Sequence, residues 1–97
     1  KNVTVNYDIG NSAALGYNPV EEFRAYGDKI SDLHIKDRLF GHGPVFLGKG
    51  NAAILKVFEL LSKNDYQGLI IFQAFRDDEG VAIFKDQLNW FLKNVKL

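Results

Sequence analysis

The chain has 97 residues, a length that fits one domain, with 46% hydrophobic and 25% charged side chains, an ordinary globular composition. Twelve basic and twelve acidic residues cancel to zero net charge, which leaves no electrostatic footprint for nucleic acid or for an anionic membrane. The absence of cysteine excludes disulfides, zinc ribbons and thiol chemistry; no apolar run approaches the roughly 18 residues of a membrane span and no stretch has the form of a signal peptide, so a soluble cytoplasmic protein is expected.

Residues 3–8, VTVNYD, alternate Val3, Val5 and Tyr7 with Thr4 and Asn6, the pattern of a strand. The following segment is punctuated by Gly10, Gly16 and Pro19 and reads as a loop. Asn18 and Pro19 open a helix over about 19–26, with Asn18 as cap, Glu21 completing a capping box and Gly27 as stop. Residues 31–36 form a second strand, with Leu33 and Ile35 on one face and Asp32, His34 and Lys36 on the other. A glycine-rich loop over 37–50 follows, and Asn51 is placed to cap a second helix to about 63. Its apolar stripe is Ile54, Val57, Phe58 and Leu61. GLIIFQAF, residues 68–75, is the most apolar run, as suits a strand buried on both faces. RDDEG is a turn capped by Asp77 or Asp78, and a last helix runs from about 79 to 95 with Ile83, Phe84, Leu88, Phe91 and Val95 as its stripe.

The order β-α-β-α-β-α predicts an α/β fold of parallel βα units with right-handed crossovers. One helix per strand cannot cover both faces of a three-stranded sheet. The chain also lacks methionine and opens directly in a strand. Both features lead to the expectation of a single partial domain, residues 1–97, belonging to a larger α/β protein.

Polar residues gather at the strand ends. Asp8 ends the first strand, with Asn11 just beyond; His34, Lys36, Asp37 and Arg38 end the second; Gln73 and Arg76 end the third. In parallel α/β proteins that rim carries the site. Asp8, His34 and Gln73 together offer oxygen, nitrogen and oxygen donors suited to Mn²⁺, Mg²⁺, Co²⁺ or Zn²⁺. Each residue also has a plainer reading. Asp8 can cap a turn, His34 can be a structural histidine, Gln73 can belong to a buried hydrogen-bonded network, and Arg38 and Arg76 can be surface charges. His42, in the glycine-rich loop, reads as solvated.

The segments NYDIGN, HIKDR, LGKGN and GLIIFQAFR, in that order, resemble the last three βα units of xylose-isomerase-like TIM barrels, in particular the sugar-phosphate isomerases and epimerases of the hexulose-6-phosphate isomerase type. The resemblance implies that this chain is the C-terminal part of a (β/α)8 barrel, whose full length is about 250 residues. It further implies a divalent metal held by a Glu, an Asp, a His and a second Glu. Asp8 matches the Asp and His34 the His, whereas the first Glu would lie upstream. Gln73 stands at the second Glu and would be a weak ligand; an amide cannot serve as a base there. Asn11 stands where many of these epimerases have a substrate-contacting His. Asn11, Lys36, Arg38 and Arg76 are the residues placed to bind substrate, a sugar or sugar phosphate.

The function expected is thus a metal-dependent sugar or sugar-phosphate isomerase or epimerase, its catalytic base unidentified because of Gln73. The alternative is a degenerate barrel that binds a sugar without turnover. Cleavage of abasic-site DNA is a third reading, by fold analogy alone, and the neutral charge argues against it. No nucleic-acid or membrane partner is expected. Alone, the chain should be inactive and should use its open sheet edges to pair with the remainder of a barrel or with a second copy.

Overall fold

A computed structural model describes residues 3–73 and 80–95. Strand β1 (Val5–Asp8) leads directly into helix α1 (Ile9–Ala14), and helix α2 (Pro19–Tyr26) follows. A 3-10 turn, Gly27–Lys29, delivers the chain into β2 (Ile30–Ile35). The short strands β3 (Asp37–Arg38) and β4 (Pro44–Val45) pair antiparallel as a small ribbon. Helix α3 (Ile54–Lys63), strand β5 (Leu69–Phe72) and helix α4 (Val81–Asn94) complete the order.

The described strands β1, β2 and β5 make a parallel sheet in the order β1-β2-β5. This is the α/β alternation expected of consecutive βα units of a TIM barrel. The register separates two faces. Tyr7 pairs with Leu33 and Leu33 with Ile70, and this row, with Ile35 and Phe72 beyond it, faces the helices. Against it pack Phe23 of α2, Ile54, Val57, Phe58 and Leu61 of α3, and Phe91 of α4. Edge-on ring contacts, Tyr7 with Phe23 at 5.5 Å and Phe58 with Phe91 at 5.3 Å, lock the helices to one another and to the sheet. The opposite face carries the rows Asn6–Asp32–Leu69 and Asp8–His34–Ile71. No described helix covers that face, and Leu69 and Ile71 are exposed there.

Local chemistry explains most boundaries. Asn18 accepts hydrogen bonds from the N–H groups of Val20 and Glu21, and Pro19 takes the first helical position, so α2 begins where expected. Gly27 is not in a left-handed stop conformation; it is buried close against Phe23 and starts the 3-10 turn.

Four expectations are corrected. The segment after β1 is a helix, α1, because Asp8 caps it and α2 gives it partners. Asn51 does not cap α3, which begins after Ala53; its carboxamide oxygen instead accepts from the Phe40 N–H at 2.6 Å. β5 is not buried on both faces: Leu69, Ile70 and Ile71 are 66%, 42% and 38% exposed, because among the described residues β5 pairs only with β2. Gln73 is exposed and lies just past β5, its backbone N–H bonded to the Ile35 carbonyl. Asp77, Asp78 and Arg76 lie outside the described residues. Among the described residues no helix is long and apolar enough to cross a membrane.

Candidate functional site at the strand ends

Of the side chains singled out in the sequence, Asp8, Asn11, His34, Lys36, Arg38 and Gln73 lie at the C-terminal ends of β1, β2 and β5, and Arg76 lies outside the described residues. Asp8 and His34 are direct register partners on the face away from the helices. Partners in neighbouring strands stand about 5 Å apart at the backbone, so both side chains enter the same space. Asp8 has two roles. Its Oδ1 accepts the Asn11 N–H at 2.8 Å and so caps α1, while its Oδ2 stands 3.9 Å from Lys36 Nζ. That ion pair is loose and partly wet, and it contributes about 0–1 kcal/mol.

α1 carries Asn11 to the rim, and Asn11 Oδ1 accepts from Arg38 Nη1 at 2.9 Å. Arg38 Nε donates to the His42 carbonyl at 2.9 Å. The guanidinium is therefore clamped from two sides and retains free N–H groups, since it has five in all. Gly10 is needed for this closeness. A Cβ there would stand 2.8 Å from both Lys36 Cγ and the Lys36 carbonyl oxygen.

His34 reaches across to Gln73, with Nδ1 and Oε1 2.9 Å apart. The strand ends thus present one carboxylate, one imidazole, one ammonium and one guanidinium. Asp8, Asn11, Lys36 and Arg38 form one chain of contacts, and His34 with Gln73 forms a second beside it. Among the described residues no three His, Cys, Asp or Glu side chains are grouped to hold a metal ion. By donor type, Asp8 and His34 are the described rim residues that could hold a divalent metal, through a carboxylate oxygen and a ring nitrogen.

Two polar centres were not anticipated. Asp37 looks like a rim charge in the sequence, yet it is fully buried. Its carboxylate accepts the N–H groups of Gly48, Gly50 and Ala52 at 2.9, 3.1 and 2.9 Å. It thereby folds LGKGN back onto β3, and Gly50 is close enough that a Cβ would collide with the carboxylate. The glycine spacing was the available signal: a tight loop of exposed N–H groups needs an acceptor. Glu22, on α2, accepts from the hydroxyls of Tyr7 (2.7 Å), Tyr26 (2.7 Å) and Ser12 (2.9 Å). Burial first, and then the Glu22 carboxylate, push Tyr26 up to about 12 and raise Tyr7 further still. Through Ser12, this cluster ties α1, and with it Asn11, to α2.

The model of the xylose isomerase-like TIM barrel family matches residues 1–94, and the chain belongs to that family. Its structure superposes on the crystal structure of apo YcjR from E. coli, a 3-keto-D-glucoside 4-epimerase, with a TM-score of 0.73 at 22% identity. The match covers 96% of this chain and 34% of that one, so the chain spans about a third of that protein's length. No curated protein matches the chain significantly in sequence.

Proposed function

We propose that the chain is the C-terminal part of a barrel that isomerises or epimerises a sugar at a carbon next to its carbonyl. The observation that carries this reading is the register pair Asp8–His34 at the strand ends, flanked by Lys36 and the clamped Arg38. Membership of the family and the likeness to a sugar epimerase support it.

In this reading Asp8 and His34 hold a divalent metal, Mn²⁺, Mg²⁺, Co²⁺ or Zn²⁺. When bound, the metal supplies a Lewis acid for the substrate carbonyl. Lys36 and Arg38 present cationic N–H groups to sugar oxygens or to a phosphate. Asn11 positions Arg38 through its side chain and Asp8 through its N–H. The proton on the neighbouring carbon needs a base, and the Gln73 amide cannot be one.

The test is conversion of a panel of ketoses and their phosphates by the natural gene product, with metal analysis of the same sample. The expected result is turnover of at least one sugar and about one divalent metal per chain. Asp8→Ala should lower turnover by at least about 100-fold. Full activity in that variant would remove Asp8 from the site. A second reading is favoured by Gln73 standing where a base is needed: a barrel that binds the sugar without converting it. Calorimetric binding of a sugar with no conversion would select that reading.

A further inference from the structure

We infer that Glu22 is a positioning residue for the anion grip of Arg38: through Ser12 it sets helix α1, and α1 carries both clamps on the guanidinium. The inference rests on the reading of Arg38 as a substrate contact. Glu22 lies on α2, bonded to Tyr7 on the helix side of the sheet, and is 8% exposed. A carboxylate only accepts, so three hydroxyls donate to it: Tyr7 to Oε1, and Tyr26 and Ser12 to Oε2. The Ser12 bond is the one that reaches α1. That helix has six residues, and Gly10, Asn11 and Ser12 are weak helix formers, so its own hydrogen bonds do not hold it in place. Asp8 fixes its first turn, and Glu22 anchors it to α2.

Both clamps on Arg38 start from α1. Asn11 Oδ1 accepts from Nη1 at 2.9 Å. The Ala14 carbonyl accepts the Gly41 N–H at 2.9 Å, and the next residue, His42, offers its carbonyl to Nε, also at 2.9 Å. A displacement of α1 therefore moves the acceptor on Nη1 and the loop that bears the acceptor on Nε. A guanidinium held in this way gives up little side-chain freedom when it meets a ligand, so its grip is tighter than that of a free arginine. The ligand it suits is an oxyanion of the substrate, taken by charge and by its remaining N–H groups. Glu22 raises that affinity from behind the sheet, through Ser12 and α1.

The test needs neither metal nor turnover. Inorganic phosphate is titrated into the natural gene product, freed of metal and labelled with 15N-arginine. The readout is the Arg38 Nε–H signal, assigned by its loss in Arg38→Lys. Ser12→Ala removes the tie to α1 and leaves both tyrosine bonds to Glu22, whereas Ser12→Thr keeps a hydroxyl. Phosphate should shift the parent signal. Ser12→Ala should weaken phosphate binding by about 3–10-fold, the worth of one hydrogen bond, and speed the exchange of Nε–H with water. Ser12→Thr should restore both. Glu22→Gln should weaken binding at least as much, and Ser12→Ala added to it should cost little more, because the two act as one unit. An Arg38 signal unmoved by phosphate would overturn the inference, as would parental affinity and exchange in Ser12→Ala. Equal losses in Ser12→Ala and Ser12→Thr would reduce Ser12 to packing, and additive losses with Glu22→Gln would show that it does not act through Glu22; either result overturns the inference. The expected pattern in a protein that converts no sugar would keep this inference and defeat the isomerase reading alone.

Discussion

Asp37 shows how a residue can be plain in the sequence while its task is not. HIKDR is a run of charges, and nothing in its spacing says that one of them turns inward. The reason lies 11 to 15 residues on, where Gly48, Gly50 and Ala52 present N–H groups to it. Asp37→Ala would leave those donors without an acceptor, at a cost of about 3 kcal/mol. Urea unfolding of the variant checks this, and an unchanged midpoint would show that water satisfies the loop. The tyrosines give a second test. Tyr7 and Tyr26 are raised by burial and by Glu22, so they hold their protons longer when folded than when unfolded. The unfolded chain therefore binds fewer protons in alkaline solution, and stability falls as pH rises. The loss should begin near the ordinary tyrosine value of about 10 and continue through about 12. Tyrosine absorbance at 295 nm should show a late-titrating fraction, moved toward lower pH by Glu22→Gln. A single step with all tyrosines titrating near about 10 would contradict this.

Among the elements, those with strong local signals were legible and those held by distant partners were not. α2 has an Asn-Pro start, and α3 has a clean stripe in Ile54, Val57, Phe58 and Leu61, all buried. β2 alternates as read, with Leu33 and Ile35 inside. α1 was hidden because Gly10, Asn11 and Ser12 are weak helix formers. Its helix exists because Asp8 caps it, Gly10 fits against Lys36, and Ser12 reaches Glu22. Asn51 misled for the opposite reason: it has the right type for a cap, but Phe40 takes its oxygen first. Alternation along the second strand puts His34 and Lys36 on one face, whereas the pairing of His34 with Asp8 depends on the register between β1 and β2. The contact between His34 and Gln73 was not legible in the sequence, since it depends on where β5 stops. Leu33, wholly buried in the central strand, should be the most sensitive of these positions. Leu33→Ala should cost about 2–5 kcal/mol, read as a lower denaturation midpoint; a loss within error would mean that the sheet is not the core.

At the scale of the whole molecule, the face away from the helices and the edge of β5 carry the account. Leu69, Ile70 and Ile71 lie exposed on a strand paired on one side only. Open apolar edges recruit other strands. We expect the 97-residue chain, by itself, to associate in sedimentation runs and to convert no sugar, and we expect Ile71→Lys to reduce the association. A stable monomer with full turnover would show that these three βα units suffice. The central claim concerns proton transfer next to a sugar carbonyl, and the most direct measurement is exchange with solvent. The natural gene product, loaded with divalent metal, is incubated with candidate ketoses and their phosphates in D2O, and deuterium in the recovered sugar is located by NMR. The account predicts deuterium at the carbon beside the carbonyl of at least one sugar, lost in Asp8→Ala. Sugars that bind yet emerge free of deuterium at that carbon would contradict it.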